Sequence, residues 1–216
     1  MKILSTKRYS VLKIANLIKK RQSKKADLEK VVLKIIKNVR ENKDGALFSL
    51  SKKFDGVELK TLQVSKREIA EAYKKESKEV IKALKIAKAN IEKFHKTTNV
   101  RKKRASITTT KGVSVWREFR PIEKVGFYIP GGKASYPSTV LMLGVPAKIA
   151  GCSEIVLCVP PGKDGKVPSV VLVAADICGI SKIFKVGGAQ AIAAMAYGTE
   201  SIPKVSKIFG PGNQYV

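Results

Sequence analysis

Three polar side chains in the second half of this 216-residue chain stand where a phosphate-bearing ligand would be gripped. Tyr128 lies at the end of the apolar run Glu123 to Ile129, Gln190 follows Gly187-Gly188, and Asn213 follows Gly210-Pro211-Gly212. Each sits beside a glycine turn, the first being Pro130-Gly131-Gly132. Glycine permits tight turns and lets backbone N–H groups come close to a phosphate. Helices that follow such turns point their positive N-terminal ends at the same place. The G-x-G-x-x-G spacing is absent, so the glycines alone read more readily as ordinary turn chemistry. Singly, each polar residue also has a plain reading. A strand tyrosine is usually core, and Gln or Asn near a helix start usually serves the helix end. The information lies in their convergence on one edge.

The elements that would bring them there alternate regularly. Glu123 to Ile129 reads as a buried strand. Ser138 to Ala150 reads as an apolar helix ended by Gly151, with Pro146 kinking it or costing one backbone bond. Glu154 to Val159 is a second strand, followed by a turn at Asp164-Gly165 and a helix from Pro168 to Cys178 closed by Gly179. Pro168 suits a first helical turn. Lys182 to Val186 is a third strand, Ala189 to Tyr197 a small-residue helix, and Lys207 to Phe209 begins a fourth strand. Strands joined by helices through short turns imply a parallel sheet with right-handed crossovers. Continuous apolar strands fit a sheet buried on both faces. In such sheets ligands bind beyond the carboxyl ends of the strands.

The first 120 residues read differently. Ala26 to Arg40 carries a helical apolar stripe through Leu28, Val31, Val32, Ile35, Ile36 and Val39, and Asp44 to Phe54 is a shorter helix closed by Asp55-Gly56. Val57 to Val64 alternates as a short strand would. Ser65 and Glu68 form a capping box, and the stripe Val80, Leu84, Ala87, Ile91, Phe94 continues the helical region to about His95. Residues 106–110 and 113–119 read as a hairpin turning at Lys111-Gly112. The expected organisation is a helical region over 1–120 and a βα domain over 121–216.

The net charge of +26 raises the question of nucleic acid. The charge is uneven: 34 Lys and Arg stand against 12 Asp and Glu through Arg120, and 9 against 5 after it. Lysine dominates, and rows such as Lys30, Lys34 and Lys37 lie opposite an apolar stripe. The arginines and aromatic platforms of a nucleic-acid reader are sparse, so a solvated face is the preferred reading. The three cysteines, Cys152, Cys158 and Cys178, fit no zinc spacing and read as small buried hydrophobes. No apolar run is long enough for a membrane span and the N-terminus lacks a secretory core, so a cytoplasmic, soluble protein is expected.

Four blocks carry a family resemblance: Val125–Gly132 (VGFYIPGG), Pro137–Gly151 (PSTVLMLGVPAKIAG), Phe184–Pro203 (FKVGGAQAIAAMAYGTESIP) and Lys207–Val216 (KIFGPGNQYV). In order and spacing they resemble the signature blocks of histidinol dehydrogenase, strongly over Val113–Val216 and more weakly over the helical half. The resemblance implies an incomplete Rossmann-like, aldehyde-dehydrogenase-like α/β fold and an intertwined homodimer. It implies a zinc-dependent oxidation of L-histidinol to L-histidine through the aldehyde, reducing two NAD in turn. It implies that NAD is held by the residues matching Tyr128, Gln190 and Asn213, the same three that the strand ends select.

The family's glutamate–histidine base and its zinc ligands lie downstream of the GPGN block, and no residue of this chain matches them. The chain's single histidine, His95, lies in the helical region and reads as a partly exposed structural residue. The expectation is therefore no catalytic and no metal residue within these 216 residues, no histidinol turnover and weak NAD binding by the chain alone, and apolar faces left open to association. Two other readings stand beside it. One is a non-catalytic module binding nucleotide or a partner, or half of a split enzyme; the other is a basic nucleic-acid-binding protein.

Overall fold

The computed structural model describes residues 5–19, 25–97, 106–132, 135–212 and 215–216. Four helices come first: α1 (Val11–Lys19), α2 (Lys25–Phe54), α3 (Lys66–Lys75) and α4 (Lys78–Thr97). A hairpin follows, β1 (Ser106–Thr110) and β2 (Val113–Trp116). Then come β3 (Lys124–Tyr128), α5 (Pro137–Ala150), β4 (Glu154–Cys158), α6 (Ser169–Ile177), β5 (Lys182–Phe184), α7 (Gly188–Tyr197) and β6 (Lys207–Phe209).

The four later strands form one parallel sheet in the order β5-β4-β3-β6. The chain steps outward from β3 to β4 to β5, then returns past β3 to β6. Right-handed crossovers then place α5 and α6 on one face and α7 on the other, and the packing follows. Alternate strand residues face opposite layers. Phe127, Ile155, Leu157 and Ile183 pack with α5 and α6. Tyr128, Val156, Cys158 and Phe184 pack with α7.

Helices α2, α3 and α4 form the outer layers of this sheet. Ala72 of α3 and Leu84 of α4 join the α5–α6 core, while Ile35, Val39, Leu47 and Leu50 of α2 join the α7 core. Helix α7 is rich in alanine, which lets it lie close to the strands: a methyl added at Gly126 of β3 would come within 2.6 Å of the Met195 sulfur.

Several local signals take the expected form. The Ser65 hydroxyl accepts the Glu68 N–H and the Glu68 carboxylate accepts the Ser65 N–H, so the capping box opens α3. The hairpin forms, with its second strand ending at Trp116. Helix α5 runs unbroken through Pro146. The two expected helices over 26–40 and 44–54 lie within α2, whose only non-helical residue is Lys43 at φ 45°. That break is held from outside: the Glu200 carboxylate accepts the Asp44 N–H, and the Ser201 hydroxyl donates to Asp44. Cys158 and Cys178 are buried and Cys152 is half-buried. Among the described residues no helix is long and apolar enough to cross a membrane.

Three expectations need correction. The alternating segment Val57 to Val64 is no strand. Its apolar residues fall at 57 and 59 and then at 62 and 64, a change of parity that would turn half of them to the wrong face. Only Gln63 bridges, to Phe184. The Val64 N–H donates to the Ile183 carbonyl and the Lys185 N–H to the Leu62 carbonyl, which covers the outer edge of β5. Second, the helical region after Ser65 breaks at Glu76-Ser77, where the Ser77 hydroxyl accepts the Val80 N–H and starts α4. Its stripe is buried only at the centre: Leu84 is buried, whereas Phe94 is 66% exposed. Third, Pro168 lies one residue outside α6, its carbonyl accepting the Val171 and Leu172 N–H groups.

Candidate functional site

The carboxyl edge of the sheet is built around a proline. Pro160 follows β4 and is flanked by the turns after β3 and β5. A methyl at Gly131 would fall 2.4 Å from Pro160 Cγ, and one at Gly187 would fall 2.4 Å from Pro160 Cβ. Real side-chain carbons do not approach so closely, so both glycines are required by packing. Gly210, after β6, is held in the same way: a methyl there would meet the Tyr128 carbonyl oxygen at 2.2 Å. Gly132 differs, with φ +137° and nothing within 4 Å. Gly131, Gly187 and Gly210 are thus fixed by packing, while Gly131, Gly132, Gly210, Pro211 and Gly212 also form an exposed rim.

Two of the three candidate residues meet at this edge. Tyr128, the last residue of β3, is 3% exposed, and its hydroxyl accepts the Gly188 N–H at 3.2 Å. This bond ties the end of β3 to the first residue of α7. Gln190, two residues on, is 2% exposed. Its amide oxygen folds back over Gly188, 2.8 Å from where a methyl would project. Asn213 lies outside the described residues. Burial raises the Tyr128 phenol above its ordinary value. The Gly188 N–H opposes that shift, and the nearby Asp55 and Cys158 add to it. The phenol is therefore a neutral hydrogen-bonding group at physiological pH.

Asp55 is a member of this neighbourhood that sequence reasoning missed. It ends α2, its Oδ2 is buried without a hydrogen-bond partner, and burial raises its carboxyl above the ordinary value. In the sequence, Asp55-Gly56 signals only a helix end, and nothing in its spacing connects it to Tyr128 across more than seventy residues. A second buried charge, Lys185 after β5, points to the other face and pairs with Glu68 at 2.7 Å. Burial opposes ionisation of Glu68, but hydrogen bonds from Lys185 and from the Ser65 backbone and hydroxyl outweigh it. The Glu68 carboxyl lies below its ordinary range.

The edge offers backbone N–H groups at a helix start, an orienting phenol and a buried amide. That chemistry suits an anionic nucleotide. It does not suit a metal. Among the described residues no three His, Cys, Asp or Glu side chains lie together. Burial lifts the Cys158 thiol well above its ordinary value and the Cys178 thiol to about 11, which leaves both protonated rather than as ligand thiolates. His95 lies among none of these strand-end residues. It lies half-buried on α4, edge-on to the Phe94 ring, and lines an apolar groove of about 450 Å³ with Phe119, Met142, Pro146 and Phe209 on the α5 face.

The family model for histidinol dehydrogenase matches residues 18–216. A histidinol dehydrogenase from Bacteroides fragilis is 56% identical over 185 residues, 86% of this chain and 43% of the relative. One from Methanocaldococcus jannaschii is 48% identical over 214 residues, 95% of this chain and 50% of the relative. The crystal structure of histidinol dehydrogenase from Elizabethkingia anophelis superposes with a TM-score of 0.84 at 49% identity, covering 88% of this chain and 43% of that one. The chain spans about half the length of the curated relatives it matches. With the family model covering nearly its whole length and relatives this similar, the chain belongs to the histidinol dehydrogenase family.

Proposed function

We propose that these residues form the nucleotide-gripping part of an enzyme that oxidises L-histidinol to L-histidine through the aldehyde, with NAD as oxidant. The observation that carries this reading is the bond from the Gly188 N–H to the Tyr128 hydroxyl, with Gln190 in the same helical turn. It gathers two separate sequence blocks at the carboxyl edge of a parallel sheet, where nucleotides bind. When bound, NAD would accept the hydride lost from the alcohol carbon. The chain's own part is positional. The first turn of α7 offers its N–H groups to the pyrophosphate, Tyr128 fixes that turn against β3, and Gln190 and Asn213 supply amide hydrogen bonds.

The alcohol proton needs a base within hydrogen-bond reach. The single histidine, His95, sits in the groove on the opposite face from Tyr128. Zinc finds no ligand set among the described residues, so no step is assigned to it. The base and any metal ligands of the whole protein are proposed to come from residues other than those described. The reading carries with it a homodimer working in the cytoplasm, which size-exclusion chromatography and fractionation would test.

The direct experiment is calorimetric titration of the protein with NAD, comparing wild type with Tyr128→Phe and Gln190→Ala. Saturable binding weakened about tenfold by either change supports the reading, corresponding to one lost hydrogen bond. No binding by the wild type, or binding indifferent to both changes, refutes it. For a polypeptide confined to these 216 residues, histidinol-dependent NADH formation is expected to be nil.

A further inference from the structure

Strand β6 is covered on one face only. Alternate residues of a strand face opposite layers, and Ile208 packs with the α7 cluster. Phe209 pairs in register with Phe127, which packs with α5, so the Phe209 ring belongs to the α5 layer. It meets Phe127 edge-on at 6.4 Å and is nevertheless 36% exposed. Beside it lies the groove of about 450 Å³, lined by Val125 and Phe127 of β3, by Met142 of α5 and by Phe119 and Ile122 from the segment before β3. Parallel strands are as a rule buried on both faces, and a contiguous exposed apolar surface marks a docking site. The same strand is the open end of the sheet. Residues 62–64 cover the outer edge of β5, whereas among the described residues no strand pairs with the outer edge of β6.

We propose that this groove seats an apolar segment of the same polypeptide, drawn from residues of the natural protein outside these 216. Three observations select that occupant. The curated relatives are about twice as long as this chain and so carry a further stretch of comparable size. The open face and the open edge belong to one strand, β6, the last element of the chain. The net charge of +26 disfavours a second copy of these residues in the groove, because like-charged surfaces repel. The segment is not the connection directly after β6. A right-handed crossover to a strand outside β6 runs on the α7 face, as did the one that reached β6. The groove therefore takes a segment that returns to the sheet later, and its apolar lining suits one face of an amphipathic helix. The proposal goes beyond the nucleotide reading and stands or falls without it.

The test uses the full natural protein. Hydroxyl-radical footprinting read by mass spectrometry reports the cover. Met142, 55% exposed here, should oxidise at least about tenfold more slowly in the native than in the denatured protein, because a covered side chain reacts only when its cover opens. A native rate within about twofold of the denatured one means an open groove and overturns the proposal. Photo-crosslinking with p-benzoylphenylalanine in place of Met142 then identifies the occupant. A cross-link to a peptide outside residues 1–216, in a band of single-chain mass, is the expected result. A band of twice that mass puts a second copy in the groove, and a cross-link within residues 1–216 of the same chain means that the groove closes on itself; either overturns the proposal.

Discussion

The two glycines that press on Pro160 should respond differently to the same rescue. Gly131→Ala places a methyl 2.4 Å from Pro160 Cγ, 3.3 Å from Cβ and 3.7 Å from Cδ. Gly187→Ala places one 2.4 Å from Pro160 Cβ, 3.0 Å from Cγ and 3.3 Å from Cα. Gly187 has φ −114° and Gly131 is not in the left-handed region, so neither substitution strains its own backbone. The cost is overpacking alone, about 2 kcal/mol for each. At this chain length that lowers the melting temperature by about 4–8 °C. Pro160→Ala removes Cγ and Cδ and keeps Cβ. It therefore relieves the Gly131 clash, whose nearest remaining atom is then 3.3 Å away, and leaves the 2.4 Å contact at Gly187 in place. A thermal-denaturation double-mutant cycle should give a favourable coupling of about 1–2 kcal/mol for Pro160→Ala with Gly131→Ala. With Gly187→Ala the coupling should be near zero. Equal rescue of both, or of neither, would show that the turns give way by backbone movement and that the proline ring is not their common wall.

Tyr128→Phe leaves the Gly188 N–H without its acceptor and should lower stability by about 1 kcal/mol in chemical denaturation; an unchanged midpoint would mean that the bond to α7 is not formed in solution. Ser65→Ala removes half of the α3 capping box and should cost about 1 kcal/mol, read from the same curves. Glu68→Gln tests the buried pair with Lys185. Because the Glu68 carboxyl is held below its ordinary value of 4.5, its contribution is present above that pH and disappears as pH falls through the lowered value. The variant should be about 2 kcal/mol less stable than wild type near neutrality, with the gap closing below about pH 4.5. A gap that persists or widens in acid would contradict the assignment.

Much of the βα half is legible in the residues themselves. Strand and helix there are marked by continuous apolar runs, by glycines just beyond α5 and α6, and by turn residues such as Asp164-Gly165, all local signals. The helical half yields less, because its breaks are set by side chains acting across the chain. The interruption at Lys43 is held by Glu200 and Ser201. Residues 62–64 take extended form only against the edge of β5.

The site divides in the same way. The sequence by itself marked glycine turns with polar neighbours at several strand ends, of which Tyr128 and Gln190 fall among the described residues, and it carried the family's signature blocks. The tertiary structure decided which glycines serve packing, by setting Pro160 between Gly131 and Gly187. It joined Tyr128 to Gly188, and it brought Asp55 from the end of a distant helix to their side. Periodicity records which face a residue shows to its own element. Only the folded chain records what stands opposite, and buried partners, clashes and unsatisfied oxygens are properties of that opposition.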